Sequence, residues 1–301
     1  MTDSGIEALS HLVVEVTDLD AAEAFYRDGI GLAPVGRDLW PDCGAHAVLA
    51  AGDQRLVLAR NPDKADLRET GVHHAYRASP AAREAARARL ATAGVAVETY
   101  REDRPAEAAD NFYVFDPSGN RVQLVANGDG GSDRVSGIDH ACVQDIDLEW
   151  SEAFYADILA LPIDHVTGLR TEDYVRARDW GEEGIALAPG CCRRVRYYKE
   201  VPGQNRMQPR PNLQLYLRAG RDVIGVYMAI DDYAEPPEEQ LAGTPRLAFR
   251  VRRGALDGVA RRLEAAGRAF RGPVAHGPGA PIARSIYAKD TGGNFIEFCE
   301  G

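Results

Sequence analysis

Cysteine is scarce, long apolar runs are missing, and basic residues are outnumbered; each shortage argues against a class of protein. Five cysteines, Cys43, Cys142, Cys191, Cys192 and Cys299, form no C-x-x-C pair and are odd in number, which suits a reducing compartment better than a disulfide framework. Cys142 and Cys299 are read as buried core thiols. No stretch approaches the roughly eighteen apolar residues of a membrane helix, and no basic segment leading into an apolar one stands near Met1. The chain is read as cytoplasmic, with no membrane partner. Against 46 Asp and Glu there are 35 Lys and Arg, a net charge of −11, which argues against nucleic acid as the main partner.

What the chain does have is an internal repeat. LSHLVVEVTDLDAAEAFYRDGIGLAP returns as IDHACVQDIDLEWSEAFYADILALP, and His11 stands 14 residues before Phe25 as His140 stands 14 before Phe154. Each copy reads as an apolar strand with one histidine, an acidic helix entrance that can cap, and an amphipathic helix. Two further strands follow, AHAVLAAGDQRLVLAR in one half and NLQLYLRAGRDVIGVYMA in the other. A second unit then opens in each half, HHAYRASPAAREAARARLATAGV against RLAFRVRRGALDGVARRLEAAGRAF. The prediction is an α+β fold of four β-α-β-β-β modules, two per half. The boundaries fall at 1–127, a linker at 128–135, and 136–301, with an insertion at about 166–210 expected to form a loop or lid beside the second-half pocket.

Both halves close on a turn and a strand, FYVFDPSGNRVQLV and SIYAKDTGGNFIEFC. The pairs Tyr113/Tyr287, Asp116/Asp290, Gly119/Gly293 and Asn120/Asn294 are each 174 residues apart, and Gln123 matches Glu297. A carboxylate set into an apolar strand is costly without a partner, so Glu297 is expected to face a metal, a cation, a ligand or water. Counting back three residues from Tyr76 and Phe249 gives His73 and Arg246. Within each half the spacing predicts one concave pocket: His11, His73 and Gln123 in the first, His140, Arg246 and Glu297 in the second. His74 lies on the opposite strand face and is a rival to His73 in register. Arg246 has no lone pair to offer a metal, and the residues by themselves suggest an Arg246–Glu297 ion pair in its place.

These modules, with histidines on leading strands and Y-x2-D-x-x-G closing on a carboxylate, resemble the vicinal oxygen chelate superfamily. That group includes glyoxalase I, bleomycin-resistance proteins and the type I extradiol ring-cleaving dioxygenases, and the two-domain layout looks most like the last. The resemblance implies two glyoxalase-like domains whose curved mixed sheets surround concave pockets. It implies iron on His140, Glu297 and the position of Arg246, with His276 as ring-cleavage acid/base and Tyr287 contacting substrate. In the first half it implies a divalent metal on His11, His73 and Gln123.

Two function classes follow. One is a divalent-metal enzyme, extradiol-type in its most specific form, with Fe(II) and a small aromatic, catechol-like substrate. The other is a metal-free binding protein of the bleomycin-resistance kind. A glyoxalase or epimerase fits less well, because RLVLAR and VIGVYM lack the Glu or Gln those enzymes draw from that position. The organic ligand is expected in the second-half pocket, an anionic or phenolic oxygen meeting Arg246 with Tyr287 and His276 beside it, or else Arg246 is wholly engaged by Glu297. Whether the chain forms a homo-oligomer is left open.

Overall fold

The computed structural model describes residues 4–68, 70–99, 111–126, 134–145, 147–167, 214–229 and 235–301. The expected insertion, apart from 166–167, and most of the linker lie outside the described residues. The first module comprises β1 (Ile6–Val16), α1 (Leu19–Ala24) with a π-helical turn over Phe25–Ile30, β2 (Ala33–Arg37), β3 (His46–Ala51) and β4 (Gln54–Arg60). The second has β5 (His73–Ala78), α2 (Pro80–Thr92), β6 (Glu98–Thr99), β7 (Phe112–Phe115) and β8 (Arg121–Val125). The third has β9 (Val135–Asp145), α3 (Leu148–Glu152) with a second π-helical turn, β10 (Ile163–Thr167), β11 (Gln214–Ala219) and β12 (Asp222–Met228). The fourth has β13 (Arg246–Val251), α4 (Leu256–Ala265), β14 (Phe270–Ala275), β15 (Arg284–Lys289) and β16 (Phe295–Glu300). No helix among the described residues is long and apolar enough to cross a membrane.

Among the described residues, three of the four helix entrances are capped by side chains, the exception being α4, which opens on Ala255. Asp18 accepts from the Ala21 backbone N–H, and Asp147 accepts from Glu149 and Trp150. Ser79 caps α2 ahead of Pro80, a residue suited to the first helical position because it has no N–H to satisfy.

Two eight-stranded mixed sheets result, with orders β14-β15-β16-β13-β1-β4-β3-β2 and β10-β11-β12-β9-β5-β8-β7-β6. The four modules thus pair into two sheet units, but the partners are not those of the sequence reading. Module one joins module four through β1 and β13, and module two joins module three through β9 and β5. Within a half, helix packing and polar clamps provide the connection instead. Leu90 of α2 fits against Gly29, and Arg89 donates to the carbonyls of Gly29 and Ile30. Tyr26 donates to Asp116 at 3.1 Å, and its counterpart Tyr155 donates to Asp290 at 2.6 Å.

The sheets dock through reciprocal close approaches. A Cβ at Gly52 would lie 2.1 Å from the Ser136 carbonyl oxygen, and one at Gly220 would lie 1.8 Å from that of Glu7. Both glycines have positive φ, so backbone conformation and space each demand the missing side chain. Beside them Gln54 donates to the Leu9 carbonyl and to Asp222, while Ile138 N donates to Gln54. Between the sheets Tyr26, Tyr76, Tyr155, Phe112, Phe154 and Phe249 are fully buried.

Candidate functional site

On the second sheet, Ala75 of β5 lies opposite His140 of β9 and beside Gln123 of β8. Strand alternation then puts His73, Gln123, His140 and Cys142 on one face, turned away from the shared core. Gly225 of β12 pairs with Cys142, and a Cβ there would lie 2.9 Å from the thiol. The rim is aromatic. Tyr113 meets the His73 ring edge-on at 5.3 Å, as does Tyr227 at 5.7 Å, and His165 stacks on Tyr216 at 4.3 Å. Arg121 lies 4.0 Å over the Tyr113 ring and pairs with Glu98.

His73 Nε2 and His140 Nε2 are 2.9 Å apart. His73 Nδ1 lies 2.9 Å from the Gly71 carbonyl, which can only accept, so Nδ1 carries the proton. Burial, and after it the neighbouring His140, hold the His73 imidazole neutral, well below its ordinary pKa. His140 Nδ1 faces Asp139 Oδ2 at 2.8 Å, and the other Asp139 oxygen meets Arg77. Both Nδ1 protons are therefore directed at oxygen and both Nε2 atoms at each other. Two lone pairs at that distance repel unless a positive centre, a proton or a metal ion, lies between them.

The residues fit a metal. Cys142 Sγ is 3.9 Å from His73 Nε2, and the three ligand atoms of His73, His140 and Cys142 lie within 4.8 Å of one another. Gln123 Oε1 is buried with no hydrogen-bond partner among the described residues, an acceptor that a cation would satisfy. Metal–imidazole bonds of about 2.0–2.1 Å separate two ligand nitrogens by about 2.9 Å at a right angle and about 3.3 Å at the tetrahedral angle, so a tetrahedral ion would need the pair to open by a few tenths of an ångström. Imidazoles fixed through Nδ1–H to a carbonyl and a carboxylate are oriented as metal ligands are. Burial pushes the Cys142 thiol up, so the ion would have to displace its proton.

The first sheet carries the related positions in a different state. His11, Arg246 and Glu297 converge there with no exposed side-chain surface. Arg246 Nε lies 2.8 Å from Glu297 Oε2 in an ionic rather than linear contact, while its other nitrogens reach the Gly243 carbonyl and Cys43 Sγ. Glu297 also meets His11 Nε2 at 3.2 Å and accepts from Ser285 at 2.6 Å. Burial alone would raise the Glu297 carboxyl, but His11, Arg246 and Ser285 together hold it at about 2. Trp40 Nε1 also approaches His11 Nε2 at 3.2 Å. That nitrogen cannot both accept from the indole and donate to the carboxylate, and the charge-assisted bond to Glu297 is the stronger. Trp40, Cys43 and Ile282 fill this face together with Val13, Val48 and Val57.

The structure thus regroups the residues singled out in the sequence. His73 and Gln123 share a face with His140 rather than His11, and His11 joins Arg246 and Glu297. His140 and Glu297, both iron ligands in the extradiol resemblance, lie on different sheets, so that set is not assembled. Arg246 is wholly engaged instead of facing a ligand. Tyr287 is fully buried between Arg246 and Arg271, and His276 Nε2 contacts Ser285 Oγ at 2.9 Å. Cys142, read as a core thiol, stands beside the histidine pair; its position two residues after His140 was the signal. His74 faces the core, where burial pushes its pKa down to about 3 and its Nε2 meets Tyr26 Oη at 3.0 Å.

A cavity of about 600 Å³ opens where the central strands part, beyond the pairs Val13–Arg246 and His74–Ala141. His73 and Cys142 border it on one side and Leu247 and Phe295 on the other.

Residues 8–124 match the family described as Glyoxalase/Bleomycin resistance protein/Dioxygenase superfamily. Among solved structures, the chain is similar to a putative dioxygenase from Bacillus subtilis subsp. subtilis str. 168, at 14% identity and TM-score 0.62, covering 98% of this chain and 85% of that one. It is also similar to glyoxalase I from Zea mays, at 17% identity and TM-score 0.58, covering 97% and 92%. At these identities the likeness is one of fold. No curated protein sequence matches the chain.

Proposed function

We propose that this chain, a member of the glyoxalase/bleomycin resistance protein/dioxygenase superfamily, is a metal-dependent enzyme acting on a small molecule with two neighbouring oxygen atoms. The metal would be held by His73 and His140, with Gln123 and Cys142 completing the set. The observation that carries this reading is the 2.9 Å approach of two Nε2 atoms whose Nδ1 protons are both directed at oxygen acceptors. A bound divalent ion would supply Lewis-acid polarisation of the substrate oxygens.

The protein residues do the rest. Gly71 and Asp139 fix the two imidazoles, and Arg77 holds Asp139. Tyr113, Tyr216 and Tyr227 offer flat aromatic surface to a planar ligand. Two imidazoles suit a borderline divalent ion, and a thiol nearby favours Zn²⁺ over Fe(II). The Fe(II) extradiol form of the proposal lacks a carboxylate among the described residues of this cluster.

Metal analysis of protein purified without chelators tests the reading. One equivalent per chain is expected in wild type, in His11→Ala and in Glu297→Gln, with loss in His73→Ala and His140→Ala. Full metal content in His140→Ala would overturn it.

A further inference from the structure

The cavity between the sheets has polar residues around it, and nearly all of them are already engaged. Lys64 donates to the carbonyls of Ala65 and Ser118, Glu15 accepts from Thr244, and Arg121 pairs with Glu98. Asp66 pairs with Arg68, and Glu235 stands exposed at the rim. Leu12, Val14, Val72, Val143, Leu247 and Phe295 supply apolar lining.

His74 is different. It is 6% exposed and lines the cavity. Tyr26 Oη has one proton and two neighbours, Asp116 Oδ2 at 3.1 Å and His74 Nε2 at 3.0 Å, and the charge-assisted bond to the carboxylate is the stronger, so the proton goes to Asp116. The neutral His74 ring must then donate Nε2–H to Tyr26 Oη, which leaves Nδ1 with a lone pair. Among the described residues no hydrogen bond reaches that nitrogen. The other half shows that the clamp does not need an imidazole. Tyr155 binds Asp290 directly, and the residue in register with His74 is Leu247.

We propose that this cavity is a second binding site, for a compact, mainly apolar molecule bearing one hydroxyl or N–H, as a phenol does, with His74 Nδ1 accepting its proton. A volume of about 600 Å³ lies within the range of roughly 300–1,000 Å³ typical of small-molecule sites. An acceptor buried in apolar surroundings selects for a donor, because an occupant without one leaves the nitrogen unsatisfied. This site goes beyond the metal reading and does not require it. Since His73 and Cys142 also border the cavity, its occupant would touch residues of the metal cluster.

Titration with 2-naphthol and 2-methoxynaphthalene, equal in ring system but differing in the O–H, tests the proposal on the full chain. Wild type should prefer 2-naphthol about fivefold, the worth of one neutral hydrogen bond. His74→Leu, which copies Leu247, should bind both equally, and Val72→Trp, which fills the cavity, should weaken both. Chelator treatment should leave the preference for 2-naphthol in place. Equal binding of the two probes by wild type, or a preference that survives in His74→Leu, would overturn the proposal. Naphthol binding that vanishes with chelator would assign the probe to the metal centre, sinking this inference while leaving the metal reading intact.

Discussion

Arg246 on β13 and His73 on β5 hold the same place. Each opens its strand and each stands three residues before a fully buried aromatic, Phe249 or Tyr76. An imidazole can offer a lone pair and a guanidinium cannot. That one difference separates a sheet face able to hold a metal from one closed upon its own ion pair.

Arg246→His should therefore create a second site from His11, the new imidazole and Glu297, the two-His-one-carboxylate set that suits Fe(II). Anaerobic iron titration should rise by one equivalent over wild type. Equal uptake by the two proteins would show that Trp40 and Cys43 keep the face closed whatever stands at 246.

Breaking the buried pair should be expensive, and replacing it should not. Arg246→Met leaves Glu297 ionised, fully buried and partly unpaired, a loss of about 3–5 kcal/mol. The double variant Arg246→Met/Glu297→Met, which removes both charges, should recover most of that loss in urea unfolding. A double variant as unstable as the single one would mean that the ion pair contributes net stability.

Cys142→Ser distinguishes a ligand from a bystander. Cobalt-loaded wild type should show a thiolate-to-metal charge-transfer band in the near ultraviolet, and the variant should lose it while still binding cobalt through the histidines. An unchanged spectrum would remove the thiol from the donor set.

His74 should make the fold acid-sensitive. Its folded pKa is pushed down to about 3 from the ordinary 6.5 or so. Between those values the unfolded chain binds a proton that the folded chain does not, so stability falls as pH falls through this window. The loss is about 1.4 kcal/mol per pH unit for one group, or about 2 kcal/mol between pH 6 and 4.5. Burial raises the Asp290 carboxyl to about 7, which acts in the opposite direction but is common to wild type and His74→Leu. Their difference in urea stability should therefore narrow with acid, and a constant difference would reject the assignment.

The sequence by itself determined the four modules, because repeat spacing and strand alternation are local properties of the chain. It also determined which positions carry donors: His11, His140, His73, Arg246, Gln123 and Glu297 all fall on strands at related places. The acidic helix caps were legible for the same reason, since Asp18 and Asp147 act within three residues of themselves.

Only the tertiary structure decided which modules share a sheet, and with that which donors meet. Each module opens on a strand with the same alternation, and backbone N–H and C=O groups along a strand edge are the same in every module. Local pattern therefore cannot tell pairing within a half from pairing across halves. The decision rests on contacts between residues distant in sequence: the backbone approaches of Gly52 to Ser136 and of Gly220 to Glu7, the Gln54–Asp222 bond, and the fit of Leu90 against Gly29. Because these favour the crossed arrangement, His73 meets His140 and Glu297 meets His11 and Arg246.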